Sequence, residues 1–90
     1  MATLLPASGA PRTVTPANGR AFTLRELQTF VGGYIQGIGT PDGRLMFLNE
    51  DGKQLGLPPN LPATDMVRAW LLPFDIIVGD VILCTRDEAK

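Results

Sequence analysis

Residues 34–49 run Y-I-Q-G-I-G-T-P-D-G-R-L-M-F-L-N. The middle of this stretch, Thr40-Pro41-Asp42-Gly43, is a turn: proline pre-sets φ, and glycine accepts the positive φ that closes it. Tyr34–Ile38 on one side and the more apolar Arg44–Asn49 on the other are strand-forming runs. Two such runs around a short glycine-containing turn predict a β-hairpin.

Upstream of the hairpin, the pattern is helical from Thr23 to Val31. Thr23 and Glu26 stand at capping-box spacing, and Phe22 and Leu27 at the spacing of a hydrophobic staple. Leu24, Leu27, Phe30 and Val31 recur on one helical face, and Gly32-Gly33 supplies the left-handed residue that ends many helices. Nearer the N-terminus, Ala2–Leu5 and Arg12–Thr15 are short strand candidates separated by the breakers between Pro6 and Pro11. Residues 1–20 are therefore expected to form a hairpin or, failing that, a loose arm.

Downstream, Thr64–Leu72 reads as a second short helix. Thr64 is its expected cap, Asp65 complements its positive end, Met66 and Trp70 with Val67 and Leu71 face inward, and Pro73 stops it. Gly79-Asp80 then separates two β-branched runs, so Val81–Cys84 is expected to be a short, central strand. Residues 85–90 are charged and expected to fray. The order is strand, strand, helix, strand, strand, helix, strand. It predicts an α+β fold in one domain, residues 1–90, with a small, mostly antiparallel sheet and two short helices.

Composition narrows the function. The chain has 90 residues, a net charge of -1, and eight basic residues scattered without an adjacent pair. Nucleic-acid binders generally gather their basic residues into a patch, so nucleic acid is not an expected partner. The absence of histidine removes the commonest general base and metal ligand, and rules out a Ser-His-Asp triad around Ser8. The single cysteine, Cys84, excludes an internal disulfide and fits a reducing, cytoplasmic setting. The N-terminus lacks signal-peptide character, and the longest apolar run, Ala69–Val78, is broken by Pro73 and Asp75. It falls well short of the roughly 20 residues that span a bilayer. Charged residues amount to only 19%, which leaves neutral surface for a partner or a second copy of the chain.

The candidate working surface is Asn49–Thr64, N-E-D-G-K-Q-L-G-L-P-P-N-L-P-A-T. Structureless connections longer than about 12–15 residues are uncommon in compact domains and are usually functional or disordered. Leu55, Leu57 and Leu61 are expected to anchor this one to the body. Its polar residues, with Tyr34, form the candidate binding set: Tyr34, Asn49, Glu50, Asp51, Lys53, Asn60 and Thr64. Each also has an ordinary structural role to play. Asn49 and Asp51 suit turns, Asn60 can bond its own backbone, and Thr64 can cap a helix. Glu50 and Asp51 would point to opposite faces of an extended strand, against a paired-carboxylate or metal site. Gly32-Gly33 follows a helix, the reverse of the dinucleotide-binding order. No catalytic residue, metal ligand or cofactor is assigned.

With these pieces in place, V-G-G-Y-I-Q (residues 31–36), F-L-N-E-D-G-K (47–53), G-L-P-P-N-L-P-A-T (56–64) and D-I-I-V-G-D-V-I-L (75–83) together resemble a family catalogued as domain of unknown function 3846. The resemblance spans about two-thirds of the chain, and residues 1–20 depart from it most. It implies a small domain, often encoded by bacteriophages or actinobacteria, with no established enzymatic role.

Two functions are expected from these observations. The first is a non-enzymatic binding module, a phage or prophage accessory protein that engages a host protein in the host cytoplasm. The alternative is a small-ligand binder that sequesters a nucleotide, with Tyr34 stacking on the base and Arg44 or Lys53 meeting phosphate. A homo-oligomer suits either one.

Overall fold

The computed structural model describes residues 2–71 and 75–89, with Trp70 described by its backbone alone. Five strands form one sheet: β1 (Ala2–Leu5), β2 (Arg12–Val14), β3 (Ile35–Gly39), β4 (Leu45–Asn49) and β5 (Val81–Cys84). Their spatial order is β2-β1-β5-β4-β3, and every neighbouring pair is antiparallel. Two α-helices, α1 (Leu24–Val31) and α2 (Leu61–Val67), complete the α+β fold.

Helix α1 begins as its sequence dictates. Thr23 Oγ accepts from the Glu26 amide, and the Glu26 carboxylate accepts from the Thr23 amide, so the box is closed in both directions. Gly32 ends the helix at φ 80°, and its amide donates to the Gln28 carbonyl. The N-terminal residues form the hairpin, with Ala2 opposite Val14 and Leu4 opposite Arg12.

Strand β5 lies in the middle of the sheet, hydrogen-bonded to β1 on one side and β4 on the other. All four of its residues are buried, because the sheet is covered on both faces. Val81 and Leu83 pack with Met46, Leu48, Leu5 and the Ala63 and Val67 side of α2. Ile82 and Cys84 pack on the other face with Leu27 of α1, Phe22 and Ala2. Complete burial of a side chain such as Ile82 contributes about 1.5–3 kcal/mol. The same alternation divides Leu45 and Phe47 from Met46 and Leu48 in β4.

Several expectations change. The second helix starts three residues earlier than expected, at Leu61, and its cap is Asn60, whose side chain accepts from the Ala63 amide. Thr64 lies inside the helix, completely buried. The α-helical part ends at Val67 and continues as a 3-10 turn, Arg68–Trp70. The expected stop at Pro73 and the inward position of the Trp70 side chain lie outside the described residues. The long connection is correspondingly shorter, with consecutive turns over residues 50–56 and a bridge from Pro59 to Val78.

Of its three leucines only Leu57 is packed, fitting against Gly79, where an added Cβ would stand 2.8 Å from Leu57 Cδ1. Leu55 and Leu61 are each 61% exposed. The charged tail is described through residue 89. It forms a 3-10 turn, Asp87–Ala89, in which the Glu88 carboxylate accepts from the Thr85 amide and hydroxyl. The Glu88 carbonyl accepts from the Phe22 amide, 2.6 Å away, which ties the tail to the start of α1.

Candidate functional site

Helix α2 packs on one sheet face through Ala63 and Val67, and among the described residues the β3 end of that face is only partly covered. A cleft of about 580 Å³ opens there. Gln36 and Ile38 of β3 and Leu48 of β4 line it on the sheet side. The turn carrying Glu50, Gly52, Lys53 and Gln54 lines a second side, and Leu71 with residues 75–78 a third. The volume falls in the range of about 300–1,000 Å³ usual for ligand sites, and apolar lining with a few polar groups is their usual chemistry.

One ion pair links the two flanks. The Lys53 ammonium donates to the Asp75 carboxylate, which also accepts from the Ile76 amide at 3.0 Å. The lysine's hydrogen bond holds the Asp75 carboxyl below its ordinary range, against the opposing effect of burial. Asp75 was missed by sequence reasoning. Its signal was a lone acid in an otherwise apolar run, 22 residues from the lysine it meets. Gln36, Ile38 and Gln54 were missed as well, because only the strand register reveals which face α2 leaves open.

The candidate set from the sequence does not converge on one place. Asn49, Glu50 and Lys53 line the cleft. The Asn49 side chain, however, is buried and engaged elsewhere: its Nδ2 donates to the Val31 carbonyl and its Oδ1 accepts from the Asp51 amide. Asn60 and Thr64 are fully buried structural groups. Asn60 Nδ2 donates to the carbonyls of Leu5 and Gly79, both at 2.8 Å. Thr64 Oγ donates to the Asn60 carbonyl at 2.7 Å and accepts from the Ile77 amide at 2.9 Å.

Tyr34 stands apart, 67% exposed in a shallow hollow with Arg25, Gln28 and Thr29. Arg44 is at the far end of the hairpin, paired with Asp42 at 2.6 Å. The β3–β4 register puts Ile35 beside Asn49 at one end and Gly39 beside Leu45 at the other. Tyr34 lies opposite Glu50 and Arg44 opposite Thr40, so six residue steps of strand, roughly 20 Å, separate them.

Burial pushes the Cys84 thiol up to about 11, with the Glu88 charge adding to the effect. Among the described residues, no group of three or more His, Cys, Asp or Glu side chains is placed to hold a metal ion. Among them also, no helix is long and apolar enough to cross a membrane.

Residues 2–90 match the family model described as Domain of unknown function (DUF3846). The chain belongs to this family. Membership extends through the N-terminal hairpin, the part that departs most from the motifs quoted above, so β1 and β2 are part of the DUF3846 domain. No curated protein and no solved structure matches the chain.

Proposed function

We propose that this DUF3846 protein is a non-enzymatic binding module that seats a side chain or loop of a partner protein in the cleft between β3 and the turn at residues 50–54. The observation that carries this reading is the cleft itself. Its apolar residues Ile38, Leu48 and Ile77 are flanked by Gln36, Glu50, Gln54 and the Lys53–Asp75 pair. Amides and carboxylates on the rim orient a bound group, and the apolar lining supplies burial. With Glu50 and Asp75 against Lys53, the cleft has one excess negative charge, which favours a neutral or cationic guest. The family resemblance supports a phage or prophage accessory role, with a host protein in the cytoplasm as the partner.

The nucleotide-sequestering alternative, with Tyr34 stacking on the base and Arg44 or Lys53 meeting phosphate, is less well supported: Lys53 is held by Asp75, Arg44 by Asp42, and the cation that shares the Tyr34 hollow is Arg25.

The test compares the protein with a Glu50→Arg/Gln54→Arg double variant, both changes lying on exposed turn positions. Each is immobilised and exposed to bacterial lysate. Proteins retained by the parent and lost by the variant support the proposal. Equal retention by both, or none by either, overturns it. A nucleotide panel read by thermal shift covers the alternative, since a ligand at 100 times its Kd adds about 2.7 kcal/mol of stability.

A further inference from the structure

The sheet has two edges, and they differ in how they are guarded. Strand β2 is three residues long, starts with Arg12, follows Pro11 and is exposed along most of its length. Short strands, charges and prolines are the usual means of blocking unwanted strand pairing. Strand β3 has none of them. Its sequence, I-Q-G-I-G, carries neither charge nor proline over five residues.

The hydrogen-bond phase shows which backbone groups of β3 are left free by the described residues. At one end the Thr40 amide donates to the Arg44 carbonyl, and at the other the Glu50 amide donates to the Tyr34 carbonyl. Antiparallel ladders alternate, so residues 34, 36, 38 and 40 face β4, and Ile35, Gly37 and Gly39 turn their N–H and C=O groups outward.

From this pattern we infer that β3 pairs with β3 of a second copy, antiparallel about a two-fold axis at Gly37, to form one continuous ten-stranded sheet. The strand is self-complementary in that register. Gly37 meets Gly37 of the second copy, Ile35 meets Gly39, and Gln36 meets Ile38. Each outward residue donates and accepts one hydrogen bond across the axis, and none is left over.

The side chains agree with the backbone. Ile35 falls opposite a glycine, so the larger group meets an empty position. Gly37 and Gly39 lie on the α1 face of the sheet with Ile35, by strand alternation. At Gly37 an added Cβ would stand 3.2 Å from the Phe47 ring, which already occupies that space. No like charges are brought together along the strand.

The pairing also affects the cleft. Gln36 and Ile38 line it and stand at its β3 margin. The second copy would bring its own Gln36 and Ile38 to that margin, so two clefts would become one groove across the axis. An interface that repeats one patch on both partners is the closed, isologous kind most common among soluble oligomers.

Sedimentation and amide exchange test the inference together. The dimer predicts a mass near twice the 9.7 kDa of the chain. It also predicts exchange of the Ile35, Gly37 and Gly39 amides slowed roughly tenfold or more relative to free edge amides. Gly39→Pro removes one outward N–H without touching the β4 ladder, and its Cβ would meet only Arg86 Nη2 at 3.6 Å. This variant is expected to sediment as a single chain with an unchanged far-ultraviolet spectrum. A monomeric parent protein overturns the inference, as does a dimer in which those three amides exchange freely. If Gly39→Pro does not fold, the exchange rates of the parent decide the matter alone.

Discussion

The side-chain amide of Asn60 donates to the carbonyl of Leu5, 2.8 Å away and 55 residues earlier in the chain. The same nitrogen serves Gly79, and the side-chain oxygen caps α2 through Ala63. One buried residue thus joins the first strand, the approach to the last and the start of a helix.

Asn60→Ala removes all three bonds in a site with no solvent access. The loss combines a helix cap, typically about 1 kcal/mol, with two buried carbonyls left without this partner. A destabilisation of about 2–4 kcal/mol is expected, read as a lowered urea midpoint with an unchanged slope. A shift under about 0.5 kcal/mol would show the clamp to be dispensable.

Thr64→Val tests the neighbouring bond with almost no change in shape. Valine leaves the buried Ile77 amide without the hydroxyl it donates to. A buried donor stripped of its partner costs about 1–3 kcal/mol. Thr64→Ser keeps the hydroxyl and should recover much of that loss in the same urea titration.

Acid should weaken the fold in a defined window. Glu26, Asp75 and Glu88 all titrate below their ordinary values of 4.5, 3.8 and 4.5. The leading causes are the Thr23 amide, the Lys53 ammonium and the Thr85 amide respectively. A carboxyl whose folded pKa is depressed contributes stability above its unfolded pKa, and that contribution disappears as pH falls through the folded value. The urea midpoint is expected to hold steady down to about pH 5 and then fall. Replacing Lys53 with Met should raise the Asp75 titration toward its ordinary value, a shift followed by carboxyl carbon NMR. An unmoved Asp75 would remove the ion pair as its cause.

Cys84 should be inert in the native protein. It is fully buried and its thiol is raised to about 11, so almost no thiolate exists near neutral pH. Alkylation at pH 8 is expected to proceed only as fast as the chain opens, and to become rapid in urea. Fast modification of the folded protein would contradict the packing of β5 against α1.

Much of this arrangement was legible in residue order. Thr23 and Glu26 announced α1, Pro41 to Gly43 announced the hairpin turn, and the apolar run at Val81 announced a short, central strand. The cap of α2 was harder. Asn60 and Thr64 are both good capping residues, and local chemistry alone does not choose between them. The discriminating signal was Pro62, which falls in the first turn of the helix that starts at Leu61, where its missing N–H costs nothing. The cleft was legible only in part. Glu50 and Lys53 could be placed on a turn, but Gln36, Ile38 and Asp75 reach the same space through strand register and long-range pairing, which local spacing does not encode. Leu55 and Leu61 failed as anchors for a related reason: an apolar residue in a loop is buried only if some element arrives to cover it.

The position of β5 sets a constraint on biosynthesis. Its two neighbours, β1 and β4, are made long before it, and they are not hydrogen-bonded to each other. While the chain emerges from the ribosome, the two hairpins must wait as separate pieces with their inner edges open. The sheet can close only when the residues near position 80 clear the exit tunnel. Translation that pauses shortly before that point would hold the nascent chain in its most aggregation-prone form.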